Sequence, residues 1–480
     1  MNRAIGRVAA IILLLFGALF VNLNLIALIQ ADDLANHPAN RRLIIREYGI
    51  ERGPIIAGED AIARSIETEG ELRYRREYPD GPLYAHLTGY YSFILQRSGL
   101  ERTLNEDLTG RTTEEIAQNL AELLGAADRA GNSVELTVVP EVQRAAAEGL
   151  GDLEGAVVAI DPTTGAVLAS YANPTFDPNP LSSHDASEIS EAWEALNADE
   201  SRPLVDRALR ETYPPGSTFK VITTAAALEA GSDPGRTFDD PQTFDVPQTT
   251  ADIGNFGGGR CADGSSITLA DALRVSCNTT FAELGVELGD EALAEQAERF
   301  GFNRSVPFEL PVVDSAIPTE QDVPSVAQSA IGQRDVRATP MQMALVAASI
   351  ANGGTLVQPH VVQSVRDPSG RELRGPDTGP WRGDGYDENP VSPRTAGQLR
   401  SMMVDVVEDG TGRNAAIDGV EVGGKTGTAQ TGGAPTVWFI GFAEDEVAVA
   451  VVLPRSQEDA TGGAVAAPIA RAVMAAALDR

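Results

Sequence analysis

Lysine is almost missing from this 480-residue chain: of its 37 basic residues only Lys220 and Lys425 are lysine, and the rest are arginine. A codon bias toward arginine accounts for that scarcity. It does not account for where the two lysines stand, inside Ser217-Thr218-Phe219-Lys220 and Lys425-Thr426-Gly427. Arginine stays protonated, whereas a lysine can lose its proton on burial and act as a base. Positive charge is scarce overall, and a net charge of −32 excludes nucleic-acid binding, which needs a basic face. Histidine is scarce too. His37, His86, His184 and His360 are scattered without metal-ligand spacing, so no metal is expected. A Ser-His-Asp triad would leave both lysines unexplained. Phosphate-loop and dinucleotide fingerprints are absent, and no cofactor is expected.

Only two cysteines occur, Cys261 and Cys277, sixteen residues apart. In an exported chain they are candidates for a disulfide worth about 3 kcal/mol by loop closure; two buried free thiols are the alternative. Export is suggested by residues 8–29, apolar except for Asn22 and Asn24. As a helix they would span roughly 33 Å, enough to cross a bilayer. Arg3 and Arg7 precede the stretch and Asp32 and Asp33 follow it. The expected topology is a cytoplasmic tail (1–7), a single uncleaved membrane helix (8–29) and an extracytoplasmic remainder. A cleaved signal peptide would have a shorter apolar region and a small-residue cleavage site.

Residues 30–150 are polar and mixed, with turn signals at Gly53-Pro54 and around Pro79–Pro82 and an amphipathic helix predicted over 112–127. They suit a spacer or interaction domain. From Gly155 the texture changes. Strands are predicted at 156–160 and 166–171, a loop at 174–203, and a helix from Ser217 to Ala230. Helices follow at 268–274, 279–288, 290–300, 339–352 and 394–408, with an exposed excursion at 366–393. Strands at 423–430, 437–442 and 447–453 and a helix at 464–478 complete the chain. Short connections make these strands antiparallel. Strands at both ends of residues 151–480 with helices between them predict an α/β (α+β) domain: one antiparallel sheet covered on both faces.

Three short motifs carry the chemistry. Ser217 and Lys220, three apart, share a helix face. A serine hydroxyl needs a neighbouring base to become a nucleophile, and a desolvated lysine beside a second cation can be that base. Lys425-Thr426-Gly427-Thr428 opens a strand. A ligand backbone can lie along it, with one charge and two hydroxyls ready for a substrate carboxylate. Ser276-Cys277-Asn278 offers a hydroxyl to relay a proton and an amide to hold a substrate. A chance Ser-x-x-Lys arises in roughly one such chain in ten, and a chance Lys-Thr-Gly about ten times less often. Their order and their use of every lysine make the combination specific.

With these motifs the chain resembles the class B penicillin-binding proteins, monofunctional peptidoglycan transpeptidases, and in particular the penicillin-binding protein A type of actinobacteria. The resemblance also runs through Arg52-Gly53-Pro54-Ile55, Tyr84 to Tyr90, Gly99-Leu100-Glu101, Ala159 to Gly165, Tyr213 to Ser217, Ala338 to Ala344 and Gly410-Thr411-Gly412. It implies the penicillin-binding transpeptidase (serine β-lactamase-like) fold on an anchored, elongated spacer. It implies that Ser217 is acylated with Lys220 as base, and that Ser276 and Asn278 form the second motif. Lys425, Thr426, Gly427 and Thr428 would bind substrate, and the Ser217 and Thr428 N–H groups would hold the oxyanion. Stem peptides ending in D-Ala-D-Ala and β-lactams are the implied ligands; a SEDS-type glycosyltransferase and division proteins are the implied partners. A class A β-lactamase would carry a Glu-x-x-Leu-Asn stretch after the second motif, which is missing. A D,D-carboxypeptidase using the same acyl-enzyme, or a non-catalytic scaffold or β-lactam sensor, stays open.

Overall fold

The computed structural model describes residues 2–28, 41–110, 130–376, 378–381, 389–430 and 432–480. The helix predicted over 112–127 lies outside them. Near the N-terminus a helix runs from Asn2 to Leu28. Its apolar span Ile5–Leu25 is 21 residues long, about the length of a bilayer's hydrocarbon core. Leu13, Leu14, Phe16 and Phe20 on it are exposed, packed against nothing among the described residues.

The heart of the molecule is a five-stranded antiparallel sheet. Its order is Val422–Ala429, Thr436–Ala443, Val447–Leu453, Gly155–Ile160, Val167–Asn173. Alternation along each strand builds two cores. Trp438, Ile440 and Phe442 join Ala448, Ala450 and Val452 on one face; Val437 and Phe439 join Val447, Val449 and Val451 on the other. The helix Pro340–Ala351, buried along its whole length and capped by Thr339, covers the first face. The helices Pro140–Leu150 and Ala467–Leu478 cover the second. A strand covered on both faces has no polar position, which is why residues 447–453 read as an unbroken apolar run. Each buried Val or Leu of the run contributes about 1.5–3 kcal/mol by burial, and a charge at Val449 would be stranded without a partner.

A second sheet has six strands in the order Glu372–Arg374, Val362–Arg366, Ser133–Leu136, Ile55–Ala57, Asp60–Glu67, Tyr74–Glu77. It therefore draws two strands from the segment after residue 360, where sequence suggested an exposed excursion from 366. Ser364 Oγ donates to Glu135, 229 residues away in sequence. Beside this sheet Glu101 is fully buried between Arg52 and Arg76, each at 2.5 Å. Burial alone would raise its carboxyl; Arg76 and Arg52 reverse that and hold it below the usual range.

Most predicted helices match within a few residues. One correction falls at 174–203, which holds the helix Ala186–Ala198, capped by the Asp185 side chain accepting from Ser187 N. Ile189 is its buried residue, but Ile189, Ala192, Trp193 and Leu196 stand at helical spacing and the last three pack on one cluster, so the apolar period is present in the sequence among the Ser, Asp and Asn that suggest a loop. The helices expected at 279–288 and 290–300 are both present within Asn278–Arg299, broken between them at Gly289, whose φ 78° and ψ 172° are not helical.

Candidate active site

Ser217 lies in a 3-10 turn, Gly216–Phe219, that runs into the α-helix Lys220–Glu229. Sequence suggested an α-helix from Ser217. The tighter turn is closed by Lys220 N donating to Ser217 O and by Thr218 Oγ1 donating to Pro215 O at 2.8 Å. With three residues per turn, Ser217 and Lys220 stack on one side.

The turn is pressed against the edge strand Val422–Ala429 by two glycines. Gly216 has φ 53°, and a Cβ there would meet Thr428 and Ala429 backbone atoms at 3.1 Å. A Cβ on Gly427 would come within 2.7 Å of Pro215 O, so the Lys-Thr-Gly glycine keeps room for the serine's turn. Trp438, paired with Gly427 on the neighbouring strand, donates its indole N–H to Pro214 O at 3.0 Å and fixes the approach to Ser217. Among the described residues the edge strand is paired with a strand on one side only, leaving its other side for an added strand.

Lys220 is wholly buried. Its Nζ donates to Ser276 O at 2.8 Å and Asn278 Oδ1 at 2.7 Å, with Ser276 Oγ at 3.3 Å. The second motif is shaped for this. Ser276 closes the helix Leu269–Val275 in the left-handed region, φ 64° and ψ 44°, a conformation costing a non-glycine residue roughly 1 kcal/mol or more. It turns both the Ser276 carbonyl and its hydroxyl toward the amine. The Asn278 amide is oriented from behind, its Nδ2 donating to Gly254 O at 3.0 Å.

Burial pulls the Lys220 ammonium well below its usual 10.5, and the Lys425 charge pulls it further. Lys425, also wholly buried, donates to Thr426 O at 3.0 Å; burial brings it down to about 7. Among the described residues neither lysine has a carboxylate partner. A neutral amine has two N–H bonds, and two carbonyl oxygens stand ready to accept them. Its lone pair is then free for a hydroxyl. Thr426 Oγ1 is 2.7 Å from Thr411 Oγ1 of Gly410-Thr411-Gly412, and Thr428 is half-buried beside the serine's turn.

Cys261 and Cys277 are joined in a disulfide, which ties residues 255–262 to the second motif. One residue in that stretch carries no sequence signal: Asn255. Its Oδ1 accepts from Asn278 N at 2.9 Å and Thr279 N at 3.0 Å, and its Nδ2 donates to Pro241 O and Gly259 O. It serves as an N-cap supplied from a distant loop. Asp240 holds the same loop by accepting from Cys261 N and Ala262 N. A lone Asn in a Gly-rich loop reads as a turn residue, so neither it nor Trp438 was legible as part of the site.

Comparison with known proteins agrees with this geometry. The family model of the penicillin binding protein transpeptidase domain matches residues 155–475, and that of the penicillin binding protein A dimerisation domain matches 52–134. The peptidoglycan D,D-transpeptidase PbpA of Mycolicibacterium smegmatis is 40% identical, over 100% of this chain and 99% of its own. Penicillin-binding protein A of Mycobacterium tuberculosis, solved as a ceftriaxone acyl-enzyme complex, superposes with a TM-score of 0.86 at 38% identity, covering 90% of this chain and 100% of that one. An imipenem acyl-enzyme of the same protein gives 0.85 at 37%, with the same coverage. The chain belongs to the penicillin-binding protein transpeptidase family, among its class B members of the penicillin-binding protein A type.

Proposed function

We propose that this chain is a serine-type peptidoglycan D,D-transpeptidase that cross-links stem peptides through a Ser217 acyl-enzyme and is acylated by β-lactams. The observation that carries the reading is the wholly buried Lys220, held by Ser276 and Asn278 and discharged by burial and by Lys425. Ser217 Oγ attacks the carbonyl of the penultimate D-alanine and its proton passes to Lys220. The oxyanion sits on the Ser217 and Thr428 N–H groups. Collapse expels the terminal D-alanine, whose nitrogen takes a proton from Lys220 by way of the Ser276 hydroxyl. An acceptor amine then attacks the acyl carbonyl, gives up its proton along the same route and releases Ser217. The substrate carboxylate lies against Lys425, Thr426 and Thr428, and its backbone adds to the open edge of the strand. A carboxylate there favours the protonated form of Lys425, and that charge in turn keeps Lys220 neutral.

Residues 30–150 then form a pedestal beneath a transpeptidase domain at 151–480. The helix over residues 8–29 anchors both to the membrane, with residues 1–7 cytoplasmic and the catalytic domain outside. A SEDS-type glycosyltransferase and division proteins are the partners of such a pedestal. The test is fluorescent penicillin followed by a thioester substrate and a D-amino acid acceptor. A Ser217 adduct and transfer in excess of hydrolysis are expected; hydrolysis alone would make the protein a carboxypeptidase, and no adduct would make it a scaffold or sensor.

A further inference from the structure

Away from Ser217, residues 85–102 and the segments 176–211 and 310–311 enclose a cavity of about 600 Å³. Its apolar wall is aromatic. Tyr90 and Trp193 meet edge to face at 6.2 Å, and Phe176 and Leu204 continue the surface. Three arginines, Arg102, Arg202 and Arg210, also line it, with Arg102 and Arg210 exposed. Arg202 is paired with Glu211 at 2.5 Å. Among the described residues Arg102 and Arg210 have no carboxylate in ion-pair range, and Arg210 makes only a long 3.5 Å bond to Pro311 O. On a chain of net charge −32, which repels anions overall, two such guanidinium groups at one cavity give a local site for one. Asp206 and Ser98 complete the polar part of the lining. Burial pushes the Asp206 carboxyl up to about 7, so it can donate or accept a hydrogen bond.

We propose that this cavity is a second ligand site, separate from the Ser217 site, for a carboxylate-bearing saccharide. Its volume is that of a pocket for a small organic ligand at a domain boundary. Aromatic faces suit the C–H face of a sugar ring, Asp206 and Ser98 suit its hydroxyls, and Arg102 and Arg210 suit a carboxylate. An acyl chain would find its path interrupted by these polar groups, which disfavours a lipid.

The full-length protein in detergent is titrated calorimetrically with N-acetylmuramic acid, N-acetylglucosamine and glycerol 3-phosphate, with and without penicillin. N-acetylmuramic acid should bind at one equivalent, unaffected by penicillin, and at least about tenfold more tightly than the neutral sugar, the cost of losing a charge-assisted hydrogen bond. Arg210→Gln and Arg102→Gln, both exposed and therefore compatible with folding, should each weaken it by about tenfold and leave penicillin labelling unchanged. Trp193→Ala should weaken both sugars alike. Equal binding of the two sugars, wild-type affinity in the arginine variants, or displacement by penicillin would each overturn the assignment. Tighter binding of glycerol 3-phosphate would give the site to a lipid head group instead.

Discussion

Asn255→Ala tests whether the second motif is positioned from outside itself. The side chain makes four hydrogen bonds, two of them capping the helix that begins at Asn278. Losing a cap costs about 1 kcal/mol, and the Pro241 and Gly259 carbonyls left behind bring the total to about 2–3 kcal/mol. For a domain of this size that lowers Tm by roughly 3–4 °C. The larger effect falls on chemistry. Asn278 N is held at 2.9 Å and its amide nitrogen at 3.0 Å from Gly254 O. If the loop recedes, the amide rotates and Lys220 loses its 2.7 Å acceptor. A displacement of about 1 Å at such a group costs on the order of 100-fold. Stopped-flow acylation by fluorescent penicillin should therefore slow about 10–100-fold at saturation. Asn255→Asp keeps the accepting oxygen and places a negative charge at a helix N-terminus, where it is favoured; it should recover most of the rate while recovering less of the Tm. Wild-type acylation in Asn255→Ala, or equal loss of rate in both variants, would refute the reasoning.

Lys220→Arg should abolish penicillin labelling, because a guanidinium cannot give up its proton; gel fluorescence of the purified variant reads this directly. The limiting acylation rate should fall as pH drops and Lys220 protonates, and Lys425→Gln should move that limb to higher pH, since the Lys425 charge helps to discharge Lys220. Lys425 itself titrates near 7 when folded and near 10.5 when unfolded. Between those values the unfolded chain binds more protons, so its contribution makes stability rise with pH and fall away toward 7; denaturant titrations of Lys425→Gln should show a shallower slope, with the part due to Lys220 remaining. Glu101→Gln leaves Arg52 and Arg76 buried without a counter-charge and should cost about 3–5 kcal/mol, read as a lowered Tm in protein that still acylates when folded. Thiol titration of the unreduced, denatured protein should find no free cysteine.

Much of the catalytic domain was legible because its signals are local. The run Val447–Leu453 announces a doubly covered strand, Thr339-Pro340 starts a helix, and Ser217 with Lys220 needs only a spacing of three. What was hidden depends on partners far apart in the chain. The Trp438 indole reaches Pro214 across 224 residues, and Asn255 caps a helix from a loop without periodicity. The sequence places Lys220 beside Ser217. Only the folded chain shows that its hydrogen bonds run to Ser276 and Asn278, through a left-handed residue that nothing in Ser-Cys-Asn foretells.

The borrowed strands of the second sheet set an order of events during biosynthesis. Ile55–Ala57 and Ser133–Leu136 emerge early and pair in parallel, but the other edge of Ser133–Leu136 waits for Val362–Arg366. For more than two hundred residues of synthesis, that edge is a bare row of backbone donors and acceptors, open to any passing strand. The N-terminal part therefore cannot mature ahead of the catalytic part, and a fragment ending near residue 150 would keep its sheet unfinished. The two units are clasped rather than strung in series, and neither can be exchanged for a relative's without carrying the other's strands along.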